Sequence, residues 1–202
     1  SDDGILLNRA TQGLYPLGSV FKTVTLLEYL REHQMDPTGF SYTCKGKISA
    51  GDRNISCYHG KSHGELDLKS AFAKSCNSAF AQIGSELNVD SYDQLADQLL
   101  FNQDLPLSFP YSKSSFALKD TDTETTKMLT AIGQGDTLVT PMHLAMLMSA
   151  IANDGVLMTP RVLDRTENYT GTLVERYEPQ EYGSLLTSEE AENLKEYLRA
   201  VV

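Results

Sequence analysis

The chain has 202 residues, of which 41% are apolar and 22% charged, and its formal net charge is −10. That is enough chain and enough apolar side chain for one domain with a real core. The acidic balance, with no basic cluster, argues against a nucleic-acid partner, because phosphate binding needs a positive surface. No apolar run approaches the roughly eighteen residues that mark a membrane span, and no signal peptide is visible. The chain opens at Ser1-Asp2-Asp3-Gly4 and stops at Val201-Val202, inside what reads as a helix, so both ends look chosen rather than natural.

In chain order, residues 19–34 read as a helix, with Val20, Phe21, Val24, Leu27, Tyr29 and Leu30 forming a broad apolar stripe. Residues 40–64, rich in Gly, Ser and Lys, read as a small excursion of short strands and turns. A short helix from Leu68 to Ala73 leads to a break at Lys74-Ser75-Cys76-Asn77, and helices follow over 78–87 and 91–100. The stretch 102–120 reads as a long loop, and 123–132 as a helix ending at Gly133-Gln134-Gly135. Thr140-Pro141 is a helix start, with a capping hydroxyl and proline at the first helical position. That helix runs through Leu144, Met146, Leu147, Met148, Ala150 and Ile151 to the stop signal Asn153-Asp154-Gly155, and its Met-rich stripe is read as core filling. Residues 160–185 read as strand and turn, and Thr187 with Glu190 forms a capping box for a last helix. The chain therefore reads as mainly α, with little to build a sheet from.

Three cysteines are present: Cys44, Cys57 and Cys76. The spacing of Cys44 and Cys57 suits a hairpin-like excursion closed by a disulfide, which in an oxidising compartment would stabilise the fold by roughly 3 kcal/mol. Two free thiols are the plainer alternative. His59 and His63 lie close by, so a Cys/His zinc site is the third, although no C-x-x-C pair exists.

Ser19-Val20-Phe21-Lys22 is an S-x-x-K tetrad at the start of an apolar helix. Positions three apart share a helix face, so hydroxyl and amine lie side by side. The helix N-terminus offers free backbone N–H groups where an oxyanion would develop. A partly buried lysine has its neutral form favoured and can take the serine proton. Ser75-Cys76-Asn77 is an S-x-N at a helix break, whose hydroxyl and carboxamide can meet the first motif across a cleft. Taken alone, either motif is more simply a helix cap, since Ser and Asn favour such positions for local backbone bonding.

The run Asn8-Arg9-Ala10-Thr11-Gln12-Gly13-Leu14-Tyr15-Pro16-Leu17-Gly18 into Ser19-Val20-Phe21-Lys22 resembles the nucleophile region of penicillin-binding protein transpeptidases. So do Gly64-Glu65-Leu66-Asp67-Leu68 leading to Ser75-Cys76-Asn77, Ile132-Gly133-Gln134-Gly135 with Val139-Thr140-Pro141, and Ala152-Asn153-Asp154-Gly155. These four blocks stand in the family's order, and the first and third look most like class B, the monofunctional transpeptidases. The resemblance implies a serine acyl-enzyme. Ser19 would attack the penultimate D-alanine carbonyl of a peptidoglycan stem peptide, or a β-lactam ring, and Lys22 would be the acylation base. Ser75 would relay a proton to the leaving group, and Asn77 would hold Lys22 and bond the substrate amide. Substrate binding would fall to Ser19, Ser75 and Asn77. No metal or cofactor is implied, and the implied partners are stem peptides, β-lactams and cell-wall synthesis proteins in the membrane. The implied place is the extracytoplasmic face of the bacterial plasma membrane, with an N-terminal anchor outside this chain.

One family motif does not appear. No K-[ST]-G is present in the sequence; Lys22-Thr23, for example, is followed by Val24, Lys61-Ser62 by His63 and Lys113-Ser114 by Ser115. The expectation is that residues 1–202 form one partial transpeptidase domain, with 40–64 as an excursion within it. It would be the helical lobe of an α+β serine β-lactamase/transpeptidase-like fold, most of the five-stranded sheet lying elsewhere. A β-lactam sensor, a β-lactamase on the same fold, and a non-catalytic scaffold lobe are the competing readings.

Overall fold

A computed structural model describes residues 7–202, so the opening Ser1-Asp2-Asp3-Gly4 lies outside the described residues. The chain runs through α1 (Arg9–Gln12), β1 (Tyr15–Pro16), a 3-10 turn (Gly18–Phe21) and α2 (Lys22–Glu32). The excursion follows as β2 (Tyr42–Cys44), β3 (Lys47–Ala50), β4 (Arg53–Ser56) and β5 (Gly64–Leu66). Then come α3 (Leu68–Ala73), α4 (Asn77–Glu86), α5 (Val89–Gln98), α6 (Glu124–Ala131), β6 (Leu138–Val139) and α7 (Pro141–Ala152). The chain closes with β7 (Val156–Met158), β8 (Arg165–Glu167), β9 (Leu173–Arg176), β10 (Glu181–Ser184) and α8 (Ser188–Arg199).

The centre is α2. Every residue from 21 to 30 is buried, so this helix is wrapped on all sides rather than amphipathic at a surface. Phe21 anchors an aromatic cluster with Tyr92, Phe101 and Phe116, at centroid distances of 6.0–6.1 Å. Several of the polar groups buried with it are paired. The Thr25 hydroxyl lies 2.7 Å from both the Tyr92 hydroxyl and the Ala131 carbonyl, and Glu28 accepts from the Ser91 hydroxyl at 2.5 Å. Arg31 on α2 donates to Glu190 at 2.6 Å, and Glu190 also closes the predicted capping box on Thr187, so one carboxylate ties α8 to α2. Helices α4 and α6 pack face to face because Gly84 has no side chain. A Cβ there would stand 2.2 Å from that of Ala131.

Strand pairing is all antiparallel and, among the described residues, all in two-stranded ladders: β1 with β6, β2 with β5, β3 with β4, β7 with β10, and β8 with β9. Helix at 41% outweighs strand at 17%, in keeping with a mainly α reading, but the strands are more numerous than the sequence suggests. Most are three or four residues long, too short to produce a visible alternation of apolar and polar residues. In the excursion, β3–β4 forms a hairpin nested inside the β2–β5 pair.

Boundaries moved where backbone conformation overrode side-chain pattern. The helix read over 19–34 begins as a 3-10 turn and ends at Glu32, because Gln34 and Met35 take φ of 54° and 62°. The last helix ends at Arg199 with Ala200 as its cap, so the chain does not stop inside it. The Met-rich stripe of α7 is core, as read: Met146 is buried, and Met142 and Met148 pack against the core.

Candidate active site

Ser19 sits on the 3-10 turn that precedes α2, held there by a backbone embrace. The Gly18 N–H donates to the Gly133 carbonyl at 2.9 Å. Gly133 has φ +73, and a Cβ on it would lie 1.9 Å from the Gly18 oxygen. Only glycine lets the Ile132-Gly133-Gln134-Gly135 turn press onto the backbone beside Ser19. That is a structural reason for a block that the sequence could offer only as a resemblance.

Ser75 and Asn77 come from the α3–α4 junction. Ser75 takes φ +48, the left-handed region that side chains rarely adopt. In that conformation both its carbonyl and its hydroxyl reach the amine of Lys22. Asn77 is the first residue of α4, and its amide nitrogen donates to the Ser56 carbonyl at 2.9 Å, tying the junction to the end of β4. Ser56 is a partner that no sequence signal marked. Phe80, one turn further along α4, lies beneath the Lys22 amine at 5.7 Å from ring centroid to nitrogen.

Lys22 is the hub. Its Nζ donates to Asn77 Oδ1 at 2.7 Å, to the Ser75 carbonyl at 2.8 Å and to Ser75 Oγ at 2.9 Å, and lies 3.3 Å from Ser19 Oγ. The side chain is 1% exposed, whereas Ser19 and Ser75 both reach the surface. Burial pushes the Lys22 amine from the ordinary lysine value down to about 8. An ammonium has three N–H donors, and the three shortest contacts use them. Ser19 is the fourth neighbour. On losing a proton, Lys22 gains a lone pair, which the Ser19 hydroxyl is placed to donate into. The structure thus gathers Ser19, Lys22, Ser75 and Asn77 at one point, with two hydroxyls open to an incoming molecule and the amine sealed beneath them.

The disulfide between Cys44 and Cys57 is not what the structure has. Both are free, with their sulfurs 3.7 Å apart, and Cys76 lies 3.7 Å from Cys57. The reason is tertiary: the excursion folds onto the start of α4, bringing all three thiols together. Of the two histidines considered with them, His63 joins this group and His59, on an exposed turn, does not.

The family model of the penicillin binding protein transpeptidase domain matches residues 2–202. The chain is 29% identical over 163 residues to the peptidoglycan D,D-transpeptidase PbpA of Mycolicibacterium smegmatis, covering 79% of this chain and 33% of that protein. It is 27% identical over 174 residues to the peptidoglycan D,D-transpeptidase MrdA of Acinetobacter baumannii, covering 81% and 26%. It superposes on the D,D-transpeptidase domain of a peptidoglycan glycosyltransferase from Eggerthella lenta with a TM-score of 0.87 and 26% identity, covering 100% of this chain and 52% of that one. An imipenem acyl-enzyme of penicillin-binding protein A from M. tuberculosis shares the fold, with a TM-score of 0.85 and 24% identity over 97% of this chain and 46% of that one. The chain spans about a third of the length of the curated PbpA relatives and about half of these solved chains. With the model matched over nearly every residue and the fold shared end to end, the chain belongs to the penicillin binding protein transpeptidase domain family.

Proposed function

We propose that the protein from which this chain comes cross-links peptidoglycan by serine acyl transfer and is itself acylated by β-lactams. The observation that carries this reading is the buried Lys22 amine, bonded to both polar residues of S-x-N and 3.3 Å from the hydroxyl of the S-x-x-K serine. In the neutral state Lys22 takes the Ser19 proton as Oγ bonds to the penultimate D-alanine carbonyl. The tetrahedral oxyanion then collapses, the amide C–N bond breaks, and a proton passing through Ser75 Oγ goes to the departing D-alanine nitrogen. An acceptor amine repeats these steps in reverse and frees Ser19. Asn77 keeps Lys22 in register and offers its carboxamide to the substrate amide. That the similar PbpA and MrdA proteins are peptidoglycan D,D-transpeptidases supports this chemistry. By the same reasoning the parent works at the outer face of the plasma membrane, with cell-wall synthesis proteins as neighbours. No described helix is long and apolar enough to cross a membrane.

The 202 residues by themselves should acylate poorly. No K-[ST]-G occurs in them, and the described ladders are two-stranded, so the substrate carboxylate lacks a partner and the oxyanion lacks one donor. Loss of such a donor alone is worth roughly 2.7–4 kcal/mol at other acyl-transfer sites. Labelling with a fluorescent penicillin tests this by comparing the chain with a longer one that carries the third motif. The longer chain is expected to label at Ser19, and this one orders of magnitude more slowly. Equal rates, both abolished by Ser19→Ala, would overturn the mechanism. An acyl-enzyme lasting hours fits a transpeptidase or sensor, whereas rapid turnover would make it a β-lactamase.

A further inference from the structure

Beside the Ser19–Lys22 site lies a second cluster that acyl transfer does not use. Cys44, at the end of β2, Cys57, just after β4, and Cys76, at the cap of α4, are all buried, and His63 lies half-buried before β5. Their three sulfurs and one ring nitrogen all lie within 4.8 Å of one another. The Cys44–Cys57 and Cys57–Cys76 sulfur separations are both 3.7 Å, and Cys44 Sγ is 3.5 Å from His63 Nδ1.

These distances have a specific meaning. With Zn–S near 2.3 Å and Zn–N near 2.0–2.1 Å, a tetrahedral shell of three sulfurs and one nitrogen has edges of about 3.8 Å between sulfurs and about 3.6 Å between sulfur and nitrogen. The observed separations match those edges to about 0.1 Å, and the widest in the group needs to close by no more than about 1 Å. A disulfide between any two of these thiols would leave the third and the imidazole with no comparable partner. The surroundings also suit thiolate ligands. The Gly46 N–H donates to Cys44 Sγ at 3.3 Å, and the fully buried Ser78 hydroxyl lies 3.3 Å from Cys57 Sγ, the kind of outer hydrogen bonding that holds metal-bound sulfur.

We infer that Cys44, Cys57, His63 and Cys76 form a closed tetrahedral site for one zinc ion. Three thiolates and one imidazole are a borderline-soft donor set that favours zinc over calcium, magnesium or manganese, and four protein ligands leave no position for substrate. The ion is therefore structural. Binding converts three thiols to thiolates, so three protons leave for each Zn²⁺ taken up by three thiols and a neutral imidazole.

The location gives the site its consequence. Cys76 is the middle residue of Ser75-Cys76-Asn77, and Cys57 follows Ser56, whose carbonyl holds the Asn77 amide. The ion would staple both ladders of the excursion to the turn that presents Ser75 and Asn77 to Lys22. Cys76 is thus a positioning residue for the acylation site and touches no substrate. The metal assignment rests on the cluster alone and stands whether or not the acyl-transfer reading does.

Elemental analysis of protein purified without chelator is expected to find about one zinc per chain. Metal-free protein should take up Co²⁺ with the visible d–d bands of a tetrahedral site and a thiolate charge-transfer band. His63→Ala, at a half-buried position, should weaken zinc binding at least about 10–100-fold, as should Cys44→Ser, whereas His59→Ala, on the neighbouring exposed turn, should leave it unchanged. Chelation should lower the melting temperature of the wild type and leave that of a folded His63→Ala variant nearly unmoved. Folded protein that neither carries nor takes up zinc or cobalt, a Cys44–Cys57 disulfide in protein matured outside the cytoplasm, or equal binding by wild type and His63→Ala would each overturn the assignment.

Discussion

Replacing Lys22 by methionine removes a buried charge and keeps most of its volume. Burial lowers the amine from the ordinary lysine value to about 8, a shift worth about 3 kcal/mol of destabilisation while the amine stays protonated. Against this, the substitution strips a donor from Asn77 Oδ1 and from the carbonyl and hydroxyl of Ser75. Ser75 is exposed, so water can replace its share, and the half-buried Asn77 should lose about 1–2 kcal/mol. At pH 7 Lys22→Met is therefore expected to be about 1–2 kcal/mol more stable, while acylation is lost. The pH dependence makes the test sharper. Below pH 8 folded and unfolded chains both hold the proton, and the penalty is complete. As pH rises from about 8 toward the ordinary lysine value the folded state releases the proton first, so wild-type stability climbs by about 3 kcal/mol relative to the variant. Urea unfolding of both proteins at several pH values between 7 and 10.5 measures the difference, in which ionisations common to both cancel. Parallel stability curves, or acylation that survives the substitution, would show that Lys22 is not a destabilised buried base.

Other outcomes follow from single residues. Gly133→Ala must move Gly18 or lose its own φ of +73; about 1–2 kcal/mol of backbone strain plus the steric overlap should cost at least about 3 kcal/mol, a melting-point drop of about 6–12 °C. Ser75→Gly relieves the φ of +48, so stability should hold or rise by up to about 1 kcal/mol. In a chain carrying the third motif, the same change should slow penicillin labelling by about 100-fold or more; unchanged labelling would remove Ser75 from the proton path. Thr187→Ala opens the capping box at the start of α8 and should cost about 1 kcal/mol in thermal unfolding, leaving labelling by the longer chain intact.

The sequence alone determined the local elements whose signals are local. Thr140-Pro141 and Thr187 with Glu190 start helices where they were expected, because a capping hydroxyl satisfies N–H groups within its own turn. The break at Ser75-Cys76-Asn77 and the short helix before it were legible for the same reason. The resemblance supplied the four residues that meet at Lys22, but spacing could not supply their meeting: Ser75 and Lys22 lie far apart in the chain, and only the packing of α4 against α2 closes the gap. The role of Gly133 was hidden because its partner is backbone, which carries no side-chain signature. The cysteines show the division most clearly. Spacing favoured one pair bridged and one thiol left over, since two cysteines flanking a hairpin look like a closed loop. Folding the excursion onto the cap of α4 put the third thiol and one of the two histidines into the same few ångströms, a convergence set by tertiary packing rather than by distance along the chain.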